Sequence, residues 1–335
     1  MLKKKLIVIL GPTSSGKSDL AVKLAQKFNG EVISADSRQV YKGMNIGTGK
    51  ITKKEMKGIP HHLLDVASPK KRFTVAQYQK LALAAINKIY SEQNAQYIGR
   101  TARYKKGKIP ILCGGTGFYI QAVVEGIAIP KVKPDWKLRK RLQKKSNEEL
   151  FELLKKLDPK RAKNIDKHNP RRLIRALEIV LKTKKPIPSL KTIQQFDVLM
   201  IGIKKTPAEL KKRIKQRLLK RLKQGMVAEI KKLRKSGLSW KKLEDFGSEY
   251  RWISRFLQKK ISYQEMIERL QKNIEHFAKR QMTWFSAHGG SASGGKRDKR
   301  IKWIKNRKEA EKLAEKFLNK NPSLSLRDFV SFRSK

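Results

Sequence analysis

A chain of 335 residues with 81 lysines and arginines against 28 aspartates and glutamates carries a formal net charge of +53. Its length allows a sizeable core and two domains, and its single cysteine, Cys113, excludes an internal disulfide framework and a cysteine-rich zinc site. The apolar runs are too short for a membrane span, and the start of the chain lacks a signal-peptide pattern. We therefore expect a cytoplasmic protein without membrane association. Its positive field favours a polyanionic partner, although a lysine-rich proteome would also raise the charge.

The first motif along the chain is a phosphate-binding loop at residues 11–18, which read GPTSSGKS. It follows an apolar strand and precedes a helical pattern, which is the context of a phosphate loop rather than of a plain glycine-rich turn. Gly11 and Gly16 let backbone N–H groups point at anionic oxygens, and the helix N-terminus adds partial positive charge. Lys17 can reach terminal phosphates, and the Ser18 hydroxyl is placed to bind Mg²⁺. We therefore predict a phosphorylated ligand, with Mg²⁺ as the cofactor.

Strands alternate with helices behind this loop, which predicts a P-loop NTPase-like α/β fold with a parallel sheet flanked by helices. Ligands of such sheets bind at the carboxyl ends of the strands, so the loop, Asp36 and Thr116 should share one rim. Further strands are predicted at 31–35, 61–66, 109–113, 198–203 and 301–304, and helices at 73–89, 206–235, 264–285 and 309–318.

A basic helical insertion interrupts this pattern at residues 131–196. The core is thus predicted to consist of 1–130 and 197–320, with a tail at 321–335, and two further segments, 97–108 and 286–295, look inserted. Four leucines of the helical insertion should form one apolar stripe, namely Leu150, Leu153, Leu154 and Leu157.

Two groups at the predicted rim can carry chemistry. Asp36, just past a strand end, can act as a general base or bind Mg²⁺ through water, or it can simply cap the following turn. Ser37 and Gln39 beside it have the donors and acceptors that suit a base edge. The turn Gly114-Gly115-Thr116-Gly117 can hold a second phosphate or a leaving group, although a plain strand–helix turn would read the same.

Three basic clusters are candidate anion or RNA sites. Arg213 and Arg217 lie four residues apart beside an apolar stripe and can clamp an anion, unless they belong to an ordinary basic face. Arg171, Arg172 and Arg175 form one patch at a helix start, with Leu173 and Ile174 facing inward. The cluster Lys279, Arg280, Gln281 and Trp284 suits stacking on unpaired bases, with a buried tryptophan as the alternative.

Taken together, these motifs resemble those of the bacterial tRNA dimethylallyltransferases, also called tRNA isopentenyltransferases, over about residues 5–305. The stretches that carry the resemblance are GPTSSGKS at 11–18, ISADSRQVYKGMNIGT at 33–48, HHLLDV at 61–66, PILCGGTGFYI at 110–120, NPRRLIRALE at 169–178, RIKQR at 213–217 and KRQMTWF at 279–285.

The resemblance implies transfer of a dimethylallyl group from dimethylallyl diphosphate to the exocyclic amine of the tRNA adenosine 3′ of the anticodon, which would be flipped into the site. It implies a cytoplasmic enzyme, expected as a monomer, whose catalytic residues are Asp36, Thr116 and Arg217. The donor would be held by Gly11, Pro12, Thr13, Ser14, Ser15, Gly16, Lys17, Ser18 and Arg213. The tRNA would contact Asp36, Ser37, Arg38, Gln39, Thr116, Arg139, Arg171, Arg172, Leu173, Ile174, Arg175, Lys279, Arg280, Gln281, Trp284 and the segment 247–251.

Three other functions fit parts of the sequence. A P-loop kinase of small molecules would need an ATP site and leaves the basic clusters unexplained. An adenylate isopentenyltransferase would use a free nucleotide, which the helical insertion and KRQMTWF argue against. An RNA-binding protein that has lost catalysis is disfavoured because Lys17, Asp36, Thr116 and Arg217 are all intact.

Overall fold

The computed structural model describes residues 3–95, 107–130, 132–187, 195–287 and 298–319. Most of the predicted inserted segments, at 97–106 and 288–295, and the tail at 321–335 lie outside the described residues. Contacts divide the chain into two compact units, of which the second is built mainly from Glu125–Gln194, against the predicted 131–196. Within the described ranges, no helix is long and apolar enough to span a membrane.

The first unit is built on a six-stranded parallel sheet with the strand order β3-β2-β4-β1-β5-β6. The predicted parallel α/β fold is thereby confirmed. Its strands are β1 (Lys4–Leu10), β2 (Gly30–Ala35), β3 (His61–His62), β4 (Ile109–Gly114), β5 (Phe196–Ile203) and β6 (Ile301–Ile304).

Helices connect the strands and build the rest of both units. Those of the sheet unit are α1 (Lys17–Lys27), α2 (Lys53–Met56), α3 (Val75–Ala95), α4 (Gly117–Val124), α9 (Pro207–Lys223), α10 (Met226–Lys235), α11 (Trp240–Asp245), α12 (Ser248–Leu257), α13 (Tyr263–Ala287) and α14 (Arg307–Asn319). Those of the second unit are α5 (Trp136–Leu142), α6 (Asn147–Leu157), α7 (Pro159–Ala162) and α8 (Pro170–Thr183).

The sheet is covered on both faces, which explains the unbroken apolar run in β1. Ile7 and Ile9 pack with α1 and α14 on one face, while Leu6, Val8 and Leu10 pack with α3 and α4 on the other. Because β1, β4 and β2 are parallel neighbours, the loops that follow them meet at one rim of the sheet. This register places the phosphate loop beside the turns that follow β2 and β4.

Two predicted elements are shorter than the sequence suggested. The third strand, expected to reach Val66, ends after His62 because Leu63 and Asp65 adopt left-handed backbone angles of φ 65° and 56°, which break the ladder. The helix expected to run from Thr206 to about residue 235 is divided at Gly225, which has a φ of 96°, so that α10 starts in a new direction. Both halves still pack into one core with α11, α12 and α13.

The second unit has its own apolar core between α6 and α8, into which Leu150 and Leu154 are fully buried. Leu157, predicted in the same stripe, is instead 37% exposed at the end of α6. A carboxylate, Glu178, is also buried in this unit, where it binds Arg139 and Arg175. Burial alone would raise the pKa of Glu178, but its bonds from Arg139, the Asp135 N–H and Arg175 lower it to about 2.

Candidate functional site

A cavity of about 530 Å³ opens at the rim where the loops after β1, β2 and β4 meet. Every residue that lines it belongs to the sheet unit. Its walls are residues 13–19 of the phosphate loop and α1, residue 34 of β2 and 36–39 after it, 47–48, and 113–116 at the end of β4. The helices add residues 213, 216, 217, 220 and 221 of α9, 246 and 248–250 around the start of α12, and 274, 277 and 281 of α13. The predicted rim is therefore the wall of one cavity.

The phosphate loop has the backbone geometry of an anion cradle. Gly11, Ser14 and Gly16 take positive φ angles of 145°, 61° and 98°, and α1 starts at Lys17, with its N-terminus at the loop. The Ser15 hydroxyl is buried and has no hydrogen-bond partner among the described residues. These are unsatisfied donors at the positive end of a helix, which suits a phosphate group.

Lys17 is held inside this loop, where its Nζ donates to the Pro12 carbonyl at 2.5 Å. The pKa of Lys17 is lowered to about 8, mainly by burial and also by the charge of Arg217, while Cys113 and Asp36 oppose the shift. At neutral pH the ammonium is thus still charged, and a bound anion would raise its pKa.

The turn after β2 ties Asp36 to Thr116. Asp36 Oδ1 accepts from the backbone N–H groups of Arg38, at 2.8 Å, and Gln39, at 3.3 Å. The Thr116 Oγ1 accepts from the Ser37 N–H at 3.0 Å, and the Thr116 N–H donates to the Ala35 carbonyl at 3.1 Å. Asp36 therefore does cap its turn, but only with Oδ1, since within the described part of the chain Oδ2 has no hydrogen-bond partner.

Gln281 of α13 joins the two glycine loops. Its Oε1 accepts from the Thr13 N–H at 2.8 Å, and its Nε2 donates to the Gly115 carbonyl at 2.9 Å. A Cβ on Gly115 would overlap this amide, and one on Gly117 would overlap the half-buried ring of Trp284. Gln281 and Trp284 were both predicted as RNA contacts, yet their observed contacts hold α13 against these loops.

Arg213 and Arg217 both line the cavity, as expected for an anion clamp. Arg217 is half-buried and donates through Nη2 to the Gly49 carbonyl at 2.9 Å, whereas the more exposed Arg213 pairs with Glu209 at 3.4 Å. Burial and the neighbouring Arg221 lower the pKa of Arg217, but a guanidinium in a protein keeps its proton.

The other residues predicted to contact RNA differ in their exposure and in their partners within the chain. Some are exposed cations, and these are Lys279 and Arg280 on α13 and Arg171 and Arg172 at the start of α8. The side chains of Leu173 and Ile174 are buried in the helical unit, as expected from their predicted inward-facing positions. Arg139 and Arg175 are occupied by Glu178. Arg38 lies over the Phe246 ring at 6.0 Å, and Tyr250 of the segment 247–251 is buried.

Two residues that line the cavity, Phe277 and Arg221, and one that binds its wall, Glu229, were missed from the sequence. Phe277 is 42% exposed and lines the cavity, which its position in the predicted helix at 264–285 did not indicate. Arg221 lies one helical turn beyond Arg217, so it continues the four-residue spacing of Arg213 and Arg217 and could have been predicted from it. Glu229 is, with Glu209, one of only two acids between residues 207 and 235, and an acid that is rare in a basic stretch is the signal that could have found it.

Comparison with known proteins gives a consistent set of relatives. The sequence model of the IPP transferase family matches residues 39–288. The tRNA dimethylallyltransferase of Pelotomaculum thermopropionicum is 37% identical over 310 residues, which cover 90% of this chain and 91% of the relative. That of Carboxydothermus hydrogenoformans is 37% identical over 328 residues, with 95% and 97% covered.

Solved structures agree with the sequence relatives. The full-length tRNA isopentenylpyrophosphate transferase from Bacillus halodurans is similar with a TM-score of 0.67 and 33% identity, over 95% of this chain and 98% of that one. A eukaryotic dimethylallyltransferase acting on tRNA is similar with a TM-score of 0.78 and 28% identity, over 97% of this chain and 82% of that one.

The lowered pKa of Lys17 predicts how anion binding depends on pH. Below about pH 8 Lys17 is already protonated, so the affinity for inorganic diphosphate should not depend on this group. Above about pH 8, Lys17 must take up a proton when diphosphate binds, and the affinity for diphosphate should therefore fall by up to about tenfold per pH unit. Calorimetric titration from pH 7 to 10 measures this.

The Lys17→Arg variant is the control, because its guanidinium stays charged across that range while the diphosphate titrates identically for both proteins. The decline should therefore be weaker in the variant. Parallel profiles for the two proteins would mean that Lys17 does not titrate with the bound anion.

Proposed function

This chain belongs to the IPP transferase family, and we propose that it transfers a dimethylallyl group from dimethylallyl diphosphate to the exocyclic amine of the tRNA adenosine 3′ of the anticodon, at position 37. The observation that carries the proposal is the convergence of a phosphate loop, Arg217 and Asp36 on one cavity. Such a cavity brings an anionic leaving group and a proton acceptor to the same place.

The proposed donor fits the charged end of the cavity. Diphosphate bound in the phosphate loop would be met by backbone N–H groups, Lys17, Arg213 and Arg217, which stabilise the charge that develops as the bond from the allylic carbon to oxygen breaks. The adenine nitrogen forms the new bond to that carbon. Asp36 then takes the proton that the amine loses, and diphosphate leaves.

The apolar end of the cavity suits an isoprenoid chain. On α13, Phe277 lies one turn, about 6 Å along the axis, before Gln281, which contacts the phosphate loop. The exposed ring of Phe277, with Ile274 beyond it, is apolar surface within reach of a five-carbon tail whose diphosphate occupies the loop. A sugar or a second phosphate gains nothing from such a wall.

The donor set at the loop fits Mg²⁺ that arrives with the diphosphate. The Ser18 hydroxyl lines the cavity, and within the described ranges no group of three His, Cys, Asp or Glu side chains could hold a metal alone. When bound, Mg²⁺ would neutralise part of the charge on the diphosphate. Ser18 is thus proposed as the protein ligand, and the substrate oxygens supply the rest.

The acceptor is proposed to be tRNA because the chain has a charge of +53 and presents exposed cations in both units, Arg171 and Arg172 in one and Lys279 and Arg280 in the other. A monomer is proposed as the working unit, because a single chain supplies the phosphate loop, Asp36 and Arg217 to the same cavity.

The decisive experiment offers labelled dimethylallyl diphosphate and Mg²⁺ to the purified protein, with unmodified tRNA that bears adenosine 3′ of the anticodon beside AMP and ATP. Label should enter the tRNA alone, and a tRNA with another base at that position should stay unlabelled. Label in AMP or ATP would assign the chain to the adenylate class, and phosphate transfer without prenylation would make it a kinase.

Asp36→Asn should reduce transfer by about 10²–10⁴-fold, the contribution of a general base, while tRNA affinity stays within about twofold. Asparagine can still cap the turn through its amide oxygen, so the variant separates proton transfer from folding. Single-turnover rates and filter-binding measure the two effects. Turnover near that of the unmodified protein would remove Asp36 from the mechanism.

Replacing both Arg171 and Arg172 by alanine should lower the slope of log Kd for tRNA against log salt by about 1–2 units, because each phosphate contact contributes roughly 0.7–0.9. The matched control replaces Lys308 and Lys312 on α14, which removes the same charge from a face with no predicted RNA contact. An equal loss of slope in both variants would reduce the role of the arginines to net charge. Arg175→Ala is unsuitable, because it also breaks the bond to buried Glu178.

A further inference from the structure

Glu229 lies outside the cavity, yet it holds one of the loops that form its wall. Its Oε2 accepts from the backbone N–H groups of Asn45, at 2.8 Å, and Ile46, at 2.6 Å. Its Oε1 accepts from the Gly47 N–H at 2.9 Å and from the Tyr250 hydroxyl at 3.0 Å. Three successive N–H groups that converge on one carboxylate form an anion nest, here filled by the chain itself.

Arg221 holds the same loop from its carbonyl side. Arg221 is buried, with 8% of its surface exposed. Its guanidinium donates through Nε to the Ile46 carbonyl at 2.7 Å and through Nη2 to the Gly47 carbonyl. The same group pairs with Glu249 at 3.3 Å. The segment Asn45–Gly47 is thus fixed by α10 through its donors and by α9 through its acceptors.

The carbonyl that anchors Arg217 lies two residues beyond this segment, at Gly49. The Gly49 N–H donates to the Ile46 carbonyl at 3.0 Å, and the Gly49 carbonyl accepts from Arg217 Nη2 at 2.9 Å. Gly49 has a φ of 59°, and a Cβ there would overlap the guanidinium of Arg217. Three hydrogen bonds in series, by way of Ile46 and Gly49, therefore link the carboxylate of Glu229 to the guanidinium of Arg217.

Arg217 forms no ion pair with a carboxylate in the described part of the chain; Arg221 and Lys17 repel it, and Glu249, Asp36 and Glu55 attract it without pairing with it. Its orientation therefore depends on the hydrogen bond to the Gly49 carbonyl. A guanidinium among like charges moves toward solvent unless acceptors hold it. We propose that Glu229 is a positioning residue that sets Arg217 for the diphosphate by way of the loop Asn45–Gly49. The proposal rests on the proposed function only in taking diphosphate as the anion.

The test is a double-mutant cycle between Glu229→Gln and Arg217→Ala, with the dissociation constant of inorganic diphosphate as the readout. Glutamine turns an NH₂ toward N–H donors, so the loop should loosen and the affinity should fall about tenfold. In the Arg217→Ala background, Glu229→Gln should have no further effect. Additive losses in the double variant would overturn the proposal, because they would mean that Glu229 acts without Arg217.

Two further variants keep the test clear of folding effects. Glu244→Gln removes an acid from the surface pair with Arg255, outside the cavity, and should bind diphosphate like the unmodified protein. If Glu229→Gln lowers the melting temperature strongly, Arg221→Lys replaces it in the cycle, since that change loosens the same loop from its carbonyl side. The same non-additivity with Arg217 is expected, and additivity there also overturns the proposal.

A negative result in this double-mutant cycle can be distinguished from a negative result in the prenyl-transfer assay. Diphosphate binding is measured without an isoprenoid or an RNA acceptor, so the cycle can succeed in a protein that transfers no prenyl group. Conversely, prenyl transfer with an additive cycle would keep the reaction and remove Glu229 from it.

Discussion

The parallel alignment of β1, β4 and β2 is the constraint on which the site depends. Parallel strands end at one edge, so loops that are far apart in the sequence must meet there. The meeting is close enough that only glycine fits at positions 115 and 117, where α13 crosses the loops. A single amide, that of Gln281, then fixes the distance between the phosphate loop and the turn that holds Thr116.

Among the described residues, two of the cations in the cavity are held by backbone carbonyls and not by carboxylates. Lys17 donates to Pro12 and Arg217 to Gly49, and neither pairs with a carboxylate in the part of the chain that the structure describes. A carbonyl orients a cation but leaves its charge, whereas a carboxylate would cancel it. The positive field thus stays available for an anion, and little reorganisation is needed when charge develops on a leaving group.

Local signals predicted the sheet, the phosphate loop and Asp36, because strand periodicity and turn chemistry depend on neighbours in sequence. The contacts that the sequence did not predict depend on distant partners. The partners of Gln281, Thr13 and Gly115, lie more than 160 residues away. The pairing of Arg139 and Arg175 with Glu178 was not foreseen either, although a carboxylate on an apolar helix face requires a partner.

In a chain with 81 basic and 28 acidic residues, the positions of the acids indicate better than those of the bases which charges have a structural role. Most cations have no acid to pair with, so an exposed lysine or arginine is the ordinary case. Two of the buried acids instead mark places where cations serve the fold: Glu31 pairs with Lys108 and His62, and Glu178 pairs with its two arginines. Exposed arginines such as Arg171, next to such a cluster but outside it, are the ones left for a polyanion.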